Sequence, residues 1–512
     1  MSLDSTETQS LLHQIRDSFR VRENDRPIYL DIGGDHFRRV SSPQHQVIFG
    51  RRGSGKSCLF VYCMNQSKEA GENNFIYVGM DQFKTLKFPD ILTSILIDIF
   101  SQLPGAKKKW WWPFSTNKIQ AALSELEKTL DTAFEESIEE ESRKKNSGKG
   151  TFKPKDSLIE FGAEASNELS VKSKFSRQKQ DFLERHLSQY KRAIKEAVPT
   201  RDHAINILLD DYYLVNNSLQ PDVIDYLHRL FRDTNLYLKI GTIRHRTKLR
   251  RYENQTIGVE LNQDIEEINL DKTLDTLRQT QDYLVAILDE MGRTLGINSV
   301  SGNLFNADAA HALTLASGGV PRDFLTIFVE AVSLSVSSGK TDRLTPTYIY
   351  KAAASQAIPN KRRNLSEDAG VTDAPALEAA FADIISFCLK EKKKTAFLVS
   401  SDDVHAMAAE HEMLQQLVDF KLIHLIDQNT SAASGRAGRY SAYTLDAALF
   451  MAPRKRNIEI VEFWLQDAHR GSKGVRESPI YPLQRIKLNQ QNIELEAVLG
   501  EVEELPSEPE TA

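Results

Sequence analysis

With 512 residues and a formal net charge of −6, the chain is too long for one ordinary domain and too acidic for its overall charge to draw it to nucleic acid. Its cysteines, Cys58, Cys63 and Cys388, have neither metal-site spacing nor disulfide density, so buried thiols in a reducing compartment are expected. No apolar run is long enough to span a bilayer and the first residues carry no signal-peptide core, which makes the expected location cytoplasmic.

Residues 1–27 form a polar N-terminal extension with one weak helical pattern, Leu11, Leu12, Ile15 and Phe19. Pro27 to Ile32 is expected as a short strand closed by Gly33-Gly34. The apolar run Val47-Ile48-Phe49 then enters Gly50-Arg51-Arg52-Gly53-Ser54-Gly55-Lys56-Ser57, with Gly50, Gly55, Lys56 and Ser57 at Walker A spacing. Glycines there let backbone N–H groups turn inward around phosphate oxygens, Lys56 would reach the β- and γ-phosphates, and Ser57 would ligate Mg²⁺. A helix beginning near Lys56 would add its positive dipole end. The candidate nucleotide-binding set therefore runs from Gly50 to Cys58. A glycine-rich turn between strand and helix is the bland alternative, and the complete pattern in that context argues against it. In many P-loop ATPases the segment before this loop contacts the adenine, which marks residues 27–32 by position.

Phe75 to Met80 is a second buried-strand candidate and Phe88 to Phe100 an apolar helix, so the core is expected to be a parallel α/β sheet. Residues 104–200 interrupt it. Ala106-Lys-Lys-Lys-Trp110-Trp111-Trp112-Pro113-Phe114 is expected to pack on the protein's own surface, with partner docking next in order and membrane contact last. Charge and glycine from Asn117 to Lys155 suggest a flexible loop, and Gln178 to Val198 is helical.

The core resumes at Ile205-Asn-Ile-Leu-Leu-Asp210-Asp211, an apolar run ending in two acids, the Walker B pattern. Asp210 would hold Mg²⁺ through its water shell, and Asp211 would orient or deprotonate the attacking water. A buried strand ending in a solvated turn is the alternative. Leu236 to Arg246 is a strand with polar residues at its carboxyl end, where parallel sheets bind ligands, so Thr242 or Arg244 could sense a γ-phosphate. Arg244, Arg246, Lys248, Arg250 and Arg251 form a basic cluster, read as a solvated helix, a phosphate-backbone patch or a source of an arginine acting in trans.

Helices at Leu274–Leu295 and Asp308–Leu315 belong to an all-α lid over 271–360, in which Gly318-Gly319-Val320-Pro321-Arg322 turns into another helix. Arg322 at that helix start could couple lid position to nucleotide state. Residues 355–376 are expected as a linker. The order helix, strand, helix, helix, strand, Gly/Ser/Arg loop, strand over 377–452 is that of a winged helix. Its expected recognition helix, Glu412 to Lys421, holds two acids and one base, so DNA contact would depend on Arg436, Arg439 or Arg454-Lys455-Arg456. Residues 453–512 form a C-terminal extension whose tail, from about Pro482, is polar, ends acidic and is expected to lack fixed structure beyond one short helix.

Together these features resemble the AAA+ and STAND-like P-loop ATPases, and in order the replication-initiator (origin-recognition) clade and its bacterial relatives. The resemblance covers about residues 28–100 and 200–450. It implies an α/β fold: a P-loop parallel-sheet ATPase core, a helical lid and a C-terminal winged-helix domain. Thr242-Ile243-Arg244 is similar to the Thr/Ser-Arg step of STAND proteins, Pro321 to their Gly-x-Pro turn, and Arg322 to the sensor-2 arginine of initiators. Asp211 stands where many AAA+ enzymes carry Glu, and its shorter reach implies slow hydrolysis. The function so implied is an ATP-binding, Mg²⁺-dependent switch, hydrolysing ATP to ADP and phosphate and coupling lid motion to the winged helix. Its partners would be further copies of itself or another protein, engaged through the insertion and the winged helix. The alternatives are an ATP-licensed DNA-binding protein, or a regulatory subunit of a bacterial defence-type complex docked through Trp110–Trp112.

Overall fold

The computed structural model describes residues 1–31, 35–72, 74–106, 118–130, 157–306, 308–368, 370–433, 435, 437–451, 457–465 and 470–487, with backbone alone for 157–176, 356–357, 367–368, 370–373 and 470–472. Helix α1 (Thr6–Asp17) is N-capped by Ser5, whose side chain accepts the Thr8 N–H at 3.4 Å. Residues 27–31 are not a strand; they run irregularly to α2 (His36–Val40), and 32–34 of that expectation lie outside the described residues.

The core is built from β1 (Gln46–Phe49), α3 (Lys56–Glu69), β2 (Phe75–Gly79), α4 (Asp90–Gln102), α5 (118–130), α6 (Ser157–Ala197), β3 (Ile205–Asp210), α7 (Gln220–Phe231), β4 (Leu236–Thr242), a hairpin of β5 (Arg250–Tyr252) and β6 (Thr256–Gly258), and β7 (Glu266–Asn269). Among the described residues the main sheet is parallel, in the order β2-β3-β4-β1-β7. β1 and β3 are buried along their whole length, as central strands covered on both faces must be, so they carry apolar runs and no alternation. The edge strand β2 alternates, with Ile76 and Val78 buried on one face and Phe75 and Tyr77 on the other.

α4, α5, α6 and α7 cover one face of the sheet; α3 and α2 cover the other. The insertion is therefore part of the core: Ile119, Ala122 and Leu126 of α5 and Leu183, Tyr190 and Ile194 of α6 are buried in the same cluster as Ile95, Leu209 and Leu227. Trp110–Trp112 and the charged stretch 131–156 lie outside the described residues. In mid-sheet, Lys239 of β4 is fully buried, and its ammonium donates at 2.7 Å to each of Ser42 O, Gln44 O and Gln46 Oε1.

The lid comprises α8 (Leu277–Arg293), α9 (Val300–Leu304), α10 (Ala309–Ser317), α11 (Pro321–Ser337) and α12 (Pro346–Ala352). α1 packs into it through Leu11, Leu12 and Ile15, so the N-terminal extension serves the lid. The expected linker is helical instead: α12 continues through a π-helical stretch into α13 (Ile358–Asp368), followed by α14 (Gly370–Ile385).

Beyond α14 come β8 (Ala396–Ser400), α15 (Ser401–Ala406), α16 (Ala408–Asp419), β9 (Ile423–Thr430), β10 (Tyr440–Leu445) and α17 (Arg470–Arg476). β8, β10 and β9 form an antiparallel sheet in that order, with α15 and α16 between β8 and β9. The stretch from Pro482 opens with a short helical turn at 484–487, and Leu483 and Ile486 are buried with Phe381 and Phe397. Residues 488–512 lie outside the described residues. Ala447 and Ala448 join the lid's core, while Leu274, just ahead of α8, packs on the C-terminal sheet.

Candidate nucleotide-binding site

The loop from Gly50 to Gly55 joins β1 to α3 at the carboxyl edge of the sheet, where β3 and β4 also end. Gly53 and Gly55 have φ of +90° and +100°, the left-handed region that glycine adopts without strain. A Cβ on Gly53 would lie 2.7 Å from the Cβ of Arg322, and one on Gly50 would lie 2.2 Å from Ser54 Oγ, so the curl needs glycine for space as well. Lys56 opens α3 with its side chain folded back over the loop, donating to Gly50 O at 2.7 Å and Arg51 O at 3.3 Å. Burial depresses its pKa, and the carboxylates of Asp211, Asp210 and Asp271 oppose that shift. Ser57 is half-buried on the first turn, and Ser54 Oγ is buried with no partner among the described residues.

Asp210 ends β3, buried, in register with Gly79 of β2. Its Oδ1 accepts the Asp211 N–H at 3.0 Å, and its Oδ2 accepts the Tyr77 hydroxyl at 2.8 Å. Asp211 turns out of the strand with φ +57°; burial first, and Asp210 beside it second, push its carboxyl above the ordinary range, against Lys56, Arg322 and Arg52. These groups therefore share one field, as the two sequence motifs anticipate. A phosphate chain and a hydrated cation fit such a donor set: an N-terminal helix turn, a loop that only glycines can form, a buried ammonium and a buried acid flanked by Gly241, where a Cβ would stand 3.2 Å from Asp210 Oδ1. No group of three or more His, Cys, Asp or Glu side chains able to hold a metal occurs among the described residues, so a divalent ion here would depend on oxygens from the ligand and water.

Other candidates are placed differently. Arg51 turns away from the loop: its N–H donates to Asp271 Oδ1 at 2.8 Å, and its guanidinium donates to Lys272 O at 2.6 Å and Gly318 O at 3.2 Å. Cys58 also faces away, its Sγ 3.3 Å from Ile28 O, with burial raising the thiol to about 12. Thr242 reaches the loop through its backbone, accepting the Gly50 N–H at 3.1 Å, while its hydroxyl meets Thr247 Oγ1 at 2.5 Å. Arg244 pairs with Glu267, which follows Glu266 on β7, and lies 4.2 Å from the Phe49 ring centroid. The expected basic helix is a single turn at Arg244–Arg246 followed by the β5–β6 hairpin, in which Arg250 pairs with Glu260 and Arg251 with Asp222.

Arg322 does meet the loop. Pro321 starts α11 after Gly318 and Gly319, both at positive φ, and the Arg322 N–H donates to Gly53 O at 3.3 Å. Its guanidinium donates to Phe19 O at 3.2 Å. On the other side of the loop, Tyr29, Leu30, His36, Lys272 and Tyr283 line a small enclosed cavity with Ser54, which brings the segment before the loop to it.

A cavity of about 420 Å³ opens between core, lid and C-terminal module, lined by Arg52, His245, Arg322, Lys361, Asp419 and Lys421 among others. The module is held over it by charge. Lys421 pairs with Asp323 of α11 at 3.0 Å. Lys361 of α13 pairs with buried Asp446, which also accepts from His424 Nε2 at 2.9 Å. Tyr77, Asp271 and Lys421 are site-adjacent residues that motif spacing misses. Only Tyr77 had a local signal, its place two residues before the end of an edge strand.

No family model and no curated protein matches the chain. Among solved structures it is similar to the Drosophila origin recognition complex bound to DNA, at 12% identity and TM-score 0.36, covering 88% of this chain and 93% of that one. Cdc6p of Pyrobaculum aerophilum is similar at 12% identity and TM-score 0.34, covering 84% and 93% respectively. A Walker-type ATPase of Pyrococcus abyssi is similar at 11% identity and TM-score 0.40, covering 84% and 98%. At such scores the likeness carries no weight of its own; the sheet order and the geometry of the loop are what make the core a parallel α/β P-loop fold.

Proposed function

We propose that the chain is a nucleotide-controlled switch that binds ATP with Mg²⁺ at Gly50–Ser57 and hydrolyses it slowly. Backbone N–H groups of the loop and the α3 dipole would hold the phosphates, Lys56 would neutralise the β- and γ-oxygens, and Ser57 with Asp210 would serve the metal shell. The bound metal would supply charge neutralisation of the phosphate oxygens. Asp211 would orient the attacking water and take its proton. The single observation that carries the switch reading is the seat of Arg322 on Gly53: the lid helix begins on the phosphate loop, so a filled loop and an empty one present different surfaces to it.

The test is ATP binding by calorimetry. Wild type binds ATP·Mg²⁺, Lys56→Ala weakens binding at least ~100-fold, and Arg322→Ala weakens it about tenfold, each figure on the scale of a lost charge-assisted contact. Unchanged affinity in Lys56→Ala contradicts the assignment.

The DNA-binding alternative meets an obstacle in the arrangement of α16. Gln416, Asp419, Phe420 and Lys421 at its carboxyl end line the cavity against the core, so the expected recognition helix is partly occupied. Arg439 is exposed; Arg436 and Arg454–Arg456 lie outside the described residues. DNA contact through α16 would therefore require the module to lift away, and salt-dependent binding that appears only with ATP is its signature. The defence-subunit alternative rests on the insertion and on Trp110–Trp112, which lie outside the described residues.

A further inference from the structure

Among the described residues, Tyr77 is the one side chain outside both Walker segments whose hydroxyl meets the acid of the second. β2 and β3 run parallel, with Gly79 opposite Asp210 and Tyr77 two residues earlier on the same face. The Tyr77 ring extends along that face beside Gly79, where a built Cβ would stand in ordinary contact with Tyr77 Cε1 at 3.7 Å. The ring packs in the cluster beneath α3, with Leu59, Phe60 and Leu208, and so is anchored to the helix that begins at Lys56. Its hydroxyl donates to Asp210 Oδ2 at 2.8 Å while the Asp211 N–H holds Oδ1 at 3.0 Å. One donor on each oxygen fixes the carboxylate plane, and turning it would break both bonds.

We propose that Tyr77 is a positioning residue for the metal site: it sets the orientation and hydrogen-bonding capacity of Asp210 and thereby the affinity of the nucleotide-loaded protein for its divalent cation. This rests on the ATP·Mg²⁺ reading of the loop. An ionised carboxylate has about four lone-pair sites. Two are filled by protein, and the remaining two point where the fixed plane allows. Without the hydroxyl, Asp210 keeps only the Asp211 N–H and is free to rotate. Partners of this kind, which orient a ligand and do not touch the metal, are worth 10–100-fold in metal affinity or activity.

The experiment measures Mn²⁺ binding by electron paramagnetic resonance with saturating ATP, beside ATP binding in EDTA. In Tyr77→Phe, the expected result is Mn²⁺ affinity weakened 10–100-fold with metal-free ATP affinity within twofold of wild type. Tyr77→Leu also lacks the hydroxyl, and the titration is read on whichever variant keeps the wild-type near-ultraviolet dichroism. The effect disappears in an Asp210→Asn background, because Tyr77 acts through that carboxylate. Superimposable Mn²⁺ titrations of wild type and the hydroxyl-free variant overturn the proposal, as does an equal loss of metal-free ATP binding. Failure of the wild type itself to bind ATP refutes the underlying reading instead.

Discussion

Arg244 and Arg322 are both sensor candidates in the sequence, one at the carboxyl end of a core strand and one at the start of a lid helix, and the structure separates them. Arg244 is held by Glu267 against the Phe49 ring, whereas Arg322 sits on Gly53. Arg244→Ala is therefore expected to change ATP affinity less than about threefold while lowering stability by ~1 kcal/mol, as loss of a half-exposed pair does. An equal loss of ATP affinity in the two variants by calorimetry would contradict this. Lys239 shows what spacing cannot reveal. A lysine inside an apolar run reads as an edge position; here it is fully buried because three acceptors from residues 42–46, leading into and starting β1, converge on it. Burial pushes its pKa down to about 7. Lys239→Met leaves those acceptors without a donor and is expected to reduce unfolding free energy by about 2–4 kcal/mol in urea titration. A change under ~0.5 kcal/mol would mean the acceptors find water.

The element that matters most for coupling is α16 with the strand that follows it. Gly318, which ends α10 at φ +58°, lies against His424 of β9 so closely that a Cβ would fall 2.0 Å from the His424 ring. Gly318→Ala is expected to loosen the C-terminal module by about 2–4 kcal/mol, strain and overpacking together, seen as faster proteolysis between α14 and β8. At the end of α16, Asp419 accepts the His245 N–H, with Asp271, Arg51 and Lys56 as its charged neighbours, and its Oδ2 is buried without a partner among the described residues. Burial pushes this carboxyl up to about 7. The sign follows: the docked module binds a proton that the released one, near 3.9, does not. Docking is thus favoured at low pH and weakens as pH rises from about 4 to about 7, then levels off. Asp419→Asn should flatten that profile in hydrogen exchange of α16; a wild-type profile in the variant would assign the titration to another group.

At the scale of the whole molecule, the loop from Gly50 and the acids ending β3 were legible because their shape is set locally. Gly50 to Ser57 and Asp210-Asp211 are short runs whose residue types are dictated by backbone shape and charge, so spacing alone locates them. The joints were not legible. Leu11, Leu12 and Ile15 read as a weak helix, and only the lid shows what that helix covers. Residues 355–376 are polar enough to pass for a linker, yet most of them form helix in the structure, with Lys361 neutralised by Asp446 from the far end of the module. Such pairings are made across long stretches of chain and leave no periodic trace. What they produce is a module clamped over the cavity between the phosphate loop and the lid, and the central claim is that nucleotide changes that clamp. Hydrogen exchange of the full chain, with and without ATP·Mg²⁺, tests it most directly. The account predicts added protection in the first turn of α11 together with altered exchange at α16 and the Arg244–Arg246 turn, all absent in Lys56→Ala. Exchange at α11 and α16 that is indifferent to saturating ATP·Mg²⁺ in the wild type would contradict it.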